Sequence, residues 1–226
     1  SARRTAASAA AAAQVLLGGR APECIGLIGA GVINREVARF LRVALPGCSR
    51  FLVHDLDPAR AARGAEGLRR LGEDVEADVA PSLGAVLSTC RLVSFATTAV
   101  RPHVADLSSC PAGAAILHVS LRDLTPGAIL AADNVVDDPD HVCRAETSVH
   151  LAERATGSRD FIRCTLADIL AGRAPARRGD GAVAVFSPFG LGILDLAVGK
   201  LVVDAARAAG RGTLLRSFLE APSSTS

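Results

Sequence analysis

In the segment Ile25–Phe40, IGLIGAGVINREVARF, two glycines, Gly29 and Gly31, stand between a predicted strand and a predicted helix. Gly29 permits a tight turn, and Gly31 lets a pyrophosphate approach the backbone N–H groups at the helix N-terminus. Asn34 stands where the third glycine of a dinucleotide fingerprint usually lies, and it is grouped with the expected cofactor contacts. The next strand, FLVHD, ends at Asp55, where a carboxylate can accept both ribose hydroxyls of an adenosine and repels a 2′-phosphate. The pattern predicts NAD rather than NADP, with Arg60 as the nearest opposing feature. An exposed aspartate after a glycine turn is the alternative reading of the same residues.

Outward from this segment the chain alternates. CIGLIG, RFLVHD, EDVEAD, RLVSFAT, AAILHVS and NVVDD read as strands, separated by helices such as DPARAARGAEGLRRL and SLGAVLST. Buried strands joined by helices predict an α/β fold, a Rossmann-type parallel sheet covered by helices on both faces. Residues 138–157 read as one amphipathic helix, 173–181 as a loop, AVAVFSPFG as a last strand, and LGILDLAVGKLVVDAARAAG as a long helix capped at Gly210. The final APSSTS reads as frayed. In SFATTAV, Thr97 and Thr98 fall at the carboxyl end of a strand, the edge where open α/β sheets hold ligands; threonines there also serve as helix caps.

Of the 226 residues half are hydrophobic and only 3% aromatic, so the core is built from Ala, Val, Leu and Ile. A net charge of +2 with scattered arginines gives little field to attract a phosphate backbone, so nucleic acid is not an expected partner. The two most apolar stretches are interrupted by polar or charged residues or by proline, which argues against a membrane partner. Six dispersed cysteines without a CxxC pattern point to reduced, mostly buried thiols in a cytoplasmic protein and offer no metal site.

RTAA at residues 4–7, GAGV at 29–32, the strand ending in Asp55, ATTA at 96–99 and VFSPFGLGILD at 185–195 together resemble the ornithine cyclodeaminase/mu-crystallin family. SVHLAE, RDFIRCTLADILAG and VFSPFGLGILD are most similar to its branch that makes 2,3-diaminopropionate. The resemblance implies an NAD-binding domain over 21–190, a connecting helix over 1–20, and a final segment, 191–226, that returns to a second domain for substrate and dimerisation. It also implies a homodimer, and it places the opening residues in the middle of the family fold, with Lys200, the only lysine, unable to supply the family's early lysine.

Carried over by position, Arg4 matches an arginine that contacts substrate carboxylate and cofactor; without the resemblance it reads as a solvated helix arginine. Val32 and Ile33 match residues that touch the pyrophosphate, Asp55 the ribose acid, and Thr98 a cofactor-contacting threonine. Ser120 belongs to the same cofactor set, and Ser187 with Pro188 replaces the family's usual pair beside the nicotinamide. Asp123 is the nearest equivalent of a catalytic aspartate; its other reading is an exposed turn residue before Thr125 and Pro126. His54, His118 and His150 are candidate bases, although a lone histidine on a strand or helix is more often structural.

The branch implies NAD-dependent oxidative cleavage of an amino acid substrate, N-(2-amino-2-carboxyethyl)-L-glutamate, to 2-oxoglutarate and 2,3-diaminopropionate for siderophores or peptide antibiotics. The 226-residue chain by itself is expected to turn over weakly or not at all. The rivals are an ornithine cyclodeaminase-like or imine-reducing enzyme and a non-catalytic NAD-binding protein.

Overall fold

The computed structural model describes residues 1–215; the terminal APSSTS lies outside the described residues. An opening helix, α1 (Ala2–Leu16), precedes β1 (Ile25–Ile28), α2 (Val32–Ala44), β2 (Arg50–His54), α3 (Pro58–Arg69), β3 (Glu76–Val79), α4 (Leu83–Thr89) and β4 (Leu92–Phe95). There follow β5 (Ala115–His118), α5 (Pro126–Ala131), β6 (Asp133–Val136), α6 (Pro139–Val142), α7 (Ser148–Thr156), β7 (Ile162–Thr165), α8 (Leu166–Leu170) and β8 (Ala184–Ser187). These elements form one compact unit, Ser1–Leu191; a second unit starts at Gly192 and contains α9 (Gly192–Ala208).

The eight strands form one sheet in the order β3-β2-β1-β4-β5-β8-β6-β7, with every neighbouring pair parallel. The chain departs from β1 in one direction toward β3 and in the other toward β5. The crevice between the carboxyl ends of β1 and β4 is therefore the switch point at which doubly wound sheets bind ligands. All residues of β1, β4, β5, β6 and β8 are buried, as parallel strands covered on both faces must be.

Helix α1 buries Ala6, Ala9, Ala10, Ala12, Ala13 and Leu16. Its small side chains let it lie close on α2, and together with α3 they cover one face of the sheet. Val86, Leu87, Ile129 and Val149, from α4, α5 and α7, join the apolar cluster on the other face. In the second unit, α9 stops two residues before Gly210 (φ +62°) in a Schellman motif: Arg211 N–H donates to Ala206 O at 2.8 Å and Gly210 N–H to Arg207 O at 3.1 Å.

Two details differ from expectation. The predicted helix over 138–157 is two helices, α6 and α7, parted by Ala145 and Glu146, both with positive φ. Strand β7 was not anticipated, and its cause is tertiary: it is an edge strand, half-buried throughout, whose Arg163 donates from Nε to the buried Asp133 carboxylate at 2.6 Å.

Candidate functional site

Six helices, α3 to α8, start on Asp57, Ser82, Thr125, Asp138, Thr147 and Thr165, and each of these side chains accepts a first-turn N–H. Helix α2 is different. Its N-cap is Gly31, exposed and without a side chain to occupy the free donors of the first turn. The positive end of a 13-residue helix is thus left open at the switch point, an arrangement suited to an anion.

Gly29 makes the turn into α2 possible. Its φ is +90°, and a β-carbon there would lie 2.4 Å from the Ala96 carbonyl oxygen. A β-carbon on Gly31 would meet nothing within 4 Å, so that position is open toward solvent or a ligand. Asp55 closes the turn from the end of β2, accepting the Ala30 N–H at 2.9 Å and the Asp57 N–H at 3.0 Å. Val32 is exposed and Ile33 half-buried. A cleft of about 270 Å³ runs beside the turn between α2 and α3, lined by Gly31, Val32, Arg35, Arg60, Arg63 and Gly64 among others.

Asn34 behaves differently from its neighbours. It is buried, its Nδ2 donates to the carbonyls of Ile28 at 2.9 Å and Gly29 at 2.7 Å, and its Oδ1 accepts the Ser94 hydroxyl at 2.7 Å. Its polar atoms are turned inward, pinning the glycine turn to β1 and β4, where a third glycine would only have allowed close packing. Asn34→Ala, leaving a buried hydroxyl and two carbonyls short of partners, is expected to cost about 2 kcal/mol and to lower the melting temperature by roughly 4–8 °C.

The second group lies at the carboxyl ends of β4, β5 and β8. Asp123 is completely buried, which removes the exposed-turn reading. The hydroxyls of Thr97 and Ser120 donate to its two carboxylate oxygens. His118, buried at the end of β5, has Nε2 3.3 Å from the Asp123 backbone N and 3.4 Å from Oδ2, while its Nδ1 lies 3.2 Å from Ser187 Oγ. Burial works to raise the Asp123 pKa, but the contacts from His118, Ser120 and Thr97 outweigh it and hold the carboxyl below its ordinary range. At neutral pH Asp123 is a carboxylate, able to take a proton but not to give one.

His103 was missed by sequence reading. It sits in the loop after β4, 42% exposed at its side chain, with Nε2 3.9 Å from Asp123 Oδ1. Its N–H and that of Val104 both donate to the Asp123 carbonyl at 2.9 Å, and Val104 forms a bridge with Leu124. Nothing in its local sequence marks it, because the pairing joins segments twenty residues apart.

Asp137, at the end of β6, also escaped notice. Its carboxylate accepts the N–H groups of Phe189 at 3.0 Å and Gly190 at 2.7 Å and so fixes the turn that follows Ser187. Arg4 reaches the same turn from α1, with Nη1 3.4 Å from the Leu191 carbonyl. Thr97, Ser120, Asp123 and Ser187 are thus joined in one network through His118. Thr98 is exposed in the loop beside Thr97 and makes none of these contacts.

An open parallel sheet with a glycine turn and an uncapped helix at its switch point defines a Rossmann-type fold. The sequence pattern of the ornithine cyclodeaminase/mu-crystallin family matches residues 1–210, and the chain belongs to that family. Among solved structures, CmnK is 27% identical with a TM-score of 0.80, over 97% of this chain and 65% of its own. A probable ornithine cyclodeaminase from Bordetella pertussis Tohama I is 26% identical with a TM-score of 0.74, over 94% and 68%. The Δ1-pyrroline-2-carboxylate reductase of Thermococcus litoralis, solved with NADH and L-proline, has the same fold at 24% identity and a TM-score of 0.80, over 93% and 68%. The chain spans 65–68% of the length of these three structures. No curated protein matches the sequence.

Proposed function

We propose that the chain binds NAD and forms the cofactor-holding part of an oxidoreductase that acts on the C–N bond of an amino acid. The observation that carries this reading is the open α2 N-terminus, flanked by Gly29, Gly31 and the Asp55 carboxylate. Val32, Ile33 and the α2 N–H groups face the pyrophosphate, Asp55 the ribose, and Thr97, Thr98, Ser120 and Ser187 the remainder of the dinucleotide. Residues 1–20 connect to a second domain, 21–190 hold the nucleotide, and 191–226 return to that domain, in a cytoplasmic homodimer.

The proposed substrate is N-(2-amino-2-carboxyethyl)-L-glutamate. Substrate, NAD+ and water give 2-oxoglutarate, 2,3-diaminopropionate, NADH and a proton, within siderophore or antibiotic biosynthesis. NAD+ supplies the hydride acceptor. The chain supplies Arg4 as a clamp for a substrate carboxylate and the buried Asp123 carboxylate as proton acceptor, reached through Thr97, Ser120 and the exposed His103. The Ser187–Pro188 pair and its resemblance to the diaminopropionate branch support this substrate over ornithine.

Isothermal titration of the 226-residue chain with NAD+ tests the cofactor half. Asp55→Ala is expected to weaken NAD+ binding by about tenfold to a hundredfold, from the loss of charge-assisted hydrogen bonds, and to narrow the preference against NADP+. Equal affinity of the two proteins would sink the ribose assignment. For the substrate half, the complete gene product is incubated with substrate and NAD+. Equimolar NADH and 2-oxoglutarate support the assignment; their absence, with proline formed from ornithine, rejects it.

A further inference from the structure

At the opposite, amino-terminal edge of the sheet, two cysteines meet. Cys24 immediately precedes β1 and Cys90 ends α4, just before β4, and their sulfurs are 3.3 Å apart. The approach is built into the packing. β1 and β4 are neighbours with Ile25 opposite Leu92, so the residues leading into both strands converge. Gly26 lets α4 press onto β1: a β-carbon there would lie 2.2 Å from Val86 Cγ1 and 3.4 Å from Cys90 Cβ. Any larger residue at 26 would collide with the Val86 side chain of α4.

We infer that Cys24 and Cys90 form a dithiol site that closes reversibly to a disulfide when the chain meets a small-molecule disulfide. The sulfurs need to move together by only about 1 Å to reach bonding distance. The order of events follows from position. Cys90 is fully enclosed, whereas Cys24 is 6% exposed and adjoins the exposed Glu23, so Cys24 is the thiol an incoming reagent meets.

The local electrostatics agree. The Cys90 S–H donates to Cys24 and lowers the Cys24 pKa against the opposing effect of burial. Burial pushes the thiols of Cys48, Cys110 and Cys143 up to about 11, and that of Cys164 upward as well. Cys24 is therefore the cysteine with the largest tendency to form the reactive thiolate.

The chemistry balances with oxidised glutathione as the oxidant. The Cys24 thiolate attacks one glutathione sulfur, the glutathione S–S bond breaks, and one glutathione thiolate leaves. Cys90, losing its proton, then attacks Cys24 Sγ of the mixed disulfide and expels the second glutathione. The protein gives up two hydrogens, which leave on two molecules of reduced glutathione. The bridge would close a loop of the chain that includes β1, β2, β3 and α4 and restrict the unfolded state.

The test is incubation of the full chain with oxidised glutathione, alkylation of remaining thiols, and peptide mapping without reductant. The expected product is one internal disulfide joining the Cys24 and Cys90 peptides, with four alkylated cysteines, reversed by dithiothreitol. Cys90→Ser is expected to stop at a stable glutathione adduct on Cys24, and Cys24→Ser to leave Cys90 unmodified. Six alkylated cysteines in the wild type, a bridge between any other pair, or a persisting wild-type glutathione adduct on Cys24 would overturn the proposal. The wild-type map decides even where a serine variant folds poorly.

Discussion

Gly29→Ala is expected to lower stability by about 3 kcal/mol or more and to abolish NAD+ binding. Two costs combine. Alanine at φ +90° occupies a backbone region that L-residues enter at a cost of about 1–3 kcal/mol. Its β-carbon would also lie 2.4 Å from the Ala96 carbonyl oxygen and 2.9 Å from the Ala96 carbonyl carbon, and neither backbone atom can swing aside as a side chain would. Relief requires β1 and β4 to part at the switch point, where Asn34 ties both together through Ile28, Gly29 and Ser94.

Gly31→Ala supplies the contrast. Its φ of −84° suits alanine and the added carbon meets nothing, so the melting temperature should be nearly unchanged. The new methyl group would stand in the space left open for a pyrophosphate, and NAD+ affinity should fall. Thermal melts would show a drop of roughly 6–12 °C for Gly29→Ala and almost none for Gly31→Ala. Equal melting temperatures for the two variants would contradict the strained turn. Unchanged NAD+ titration of Gly31→Ala would contradict the pyrophosphate position.

The contrast also shows which parts of the molecule are readable from local sequence. The glycine turn, the alternation of strands and helices and the cap at Gly210 are local, set by φ, by periodicity and by residues a few positions apart. Ser187 is different. AVAVFS reads correctly as a strand, yet its place between β5 and β6, which brings Ser187 beside His118, depends on pairing across some seventy positions. Periodicity is silent on such pairing.

His118 shows the same limit. As an isolated histidine at a strand end it reads as structural, and only the sheet order reveals that it bridges Ser187 and Asp123. The break at Ala145–Glu146 escapes because neither residue advertises a left-handed conformation. Asp137 looks like any loop carboxylate until the turn at Phe189 and Gly190 is folded onto it. What a sequence conceals is the set of contacts made between elements, and in this fold the candidate site is composed of them.

Asp123 is where those contacts weigh most. Asp123→Ala would leave the hydroxyls of Thr97 and Ser120, both half-buried, without their shared acceptor, would remove the carboxylate that lies 3.4 Å from the buried His118 Nε2, and would open a void beneath the loop. Such losses are not additive, but together they are expected to cost about 3–5 kcal/mol. Asp123→Asn keeps the shape and is expected to fold, at a smaller cost, while removing the proton acceptor; in the complete gene product it should eliminate turnover yet leave NAD+ binding intact.

Acid stability separates the carboxylate's charge from its shape. The folded pKa lies below the unfolded one, so Asp123 contributes its full stabilisation above about pH 4, the ordinary carboxyl value. That contribution disappears as pH falls through the lowered folded value, because the unfolded chain takes up the proton first. Melting curves over this range should fall more steeply for the wild type than for Asp123→Asn, whose amide does not titrate. Parallel curves would mean that the ionised Asp123 is not what its neighbours stabilise. The network would then be a neutral hydrogen-bonded core, and the assignment of Asp123 as proton acceptor would fail with it.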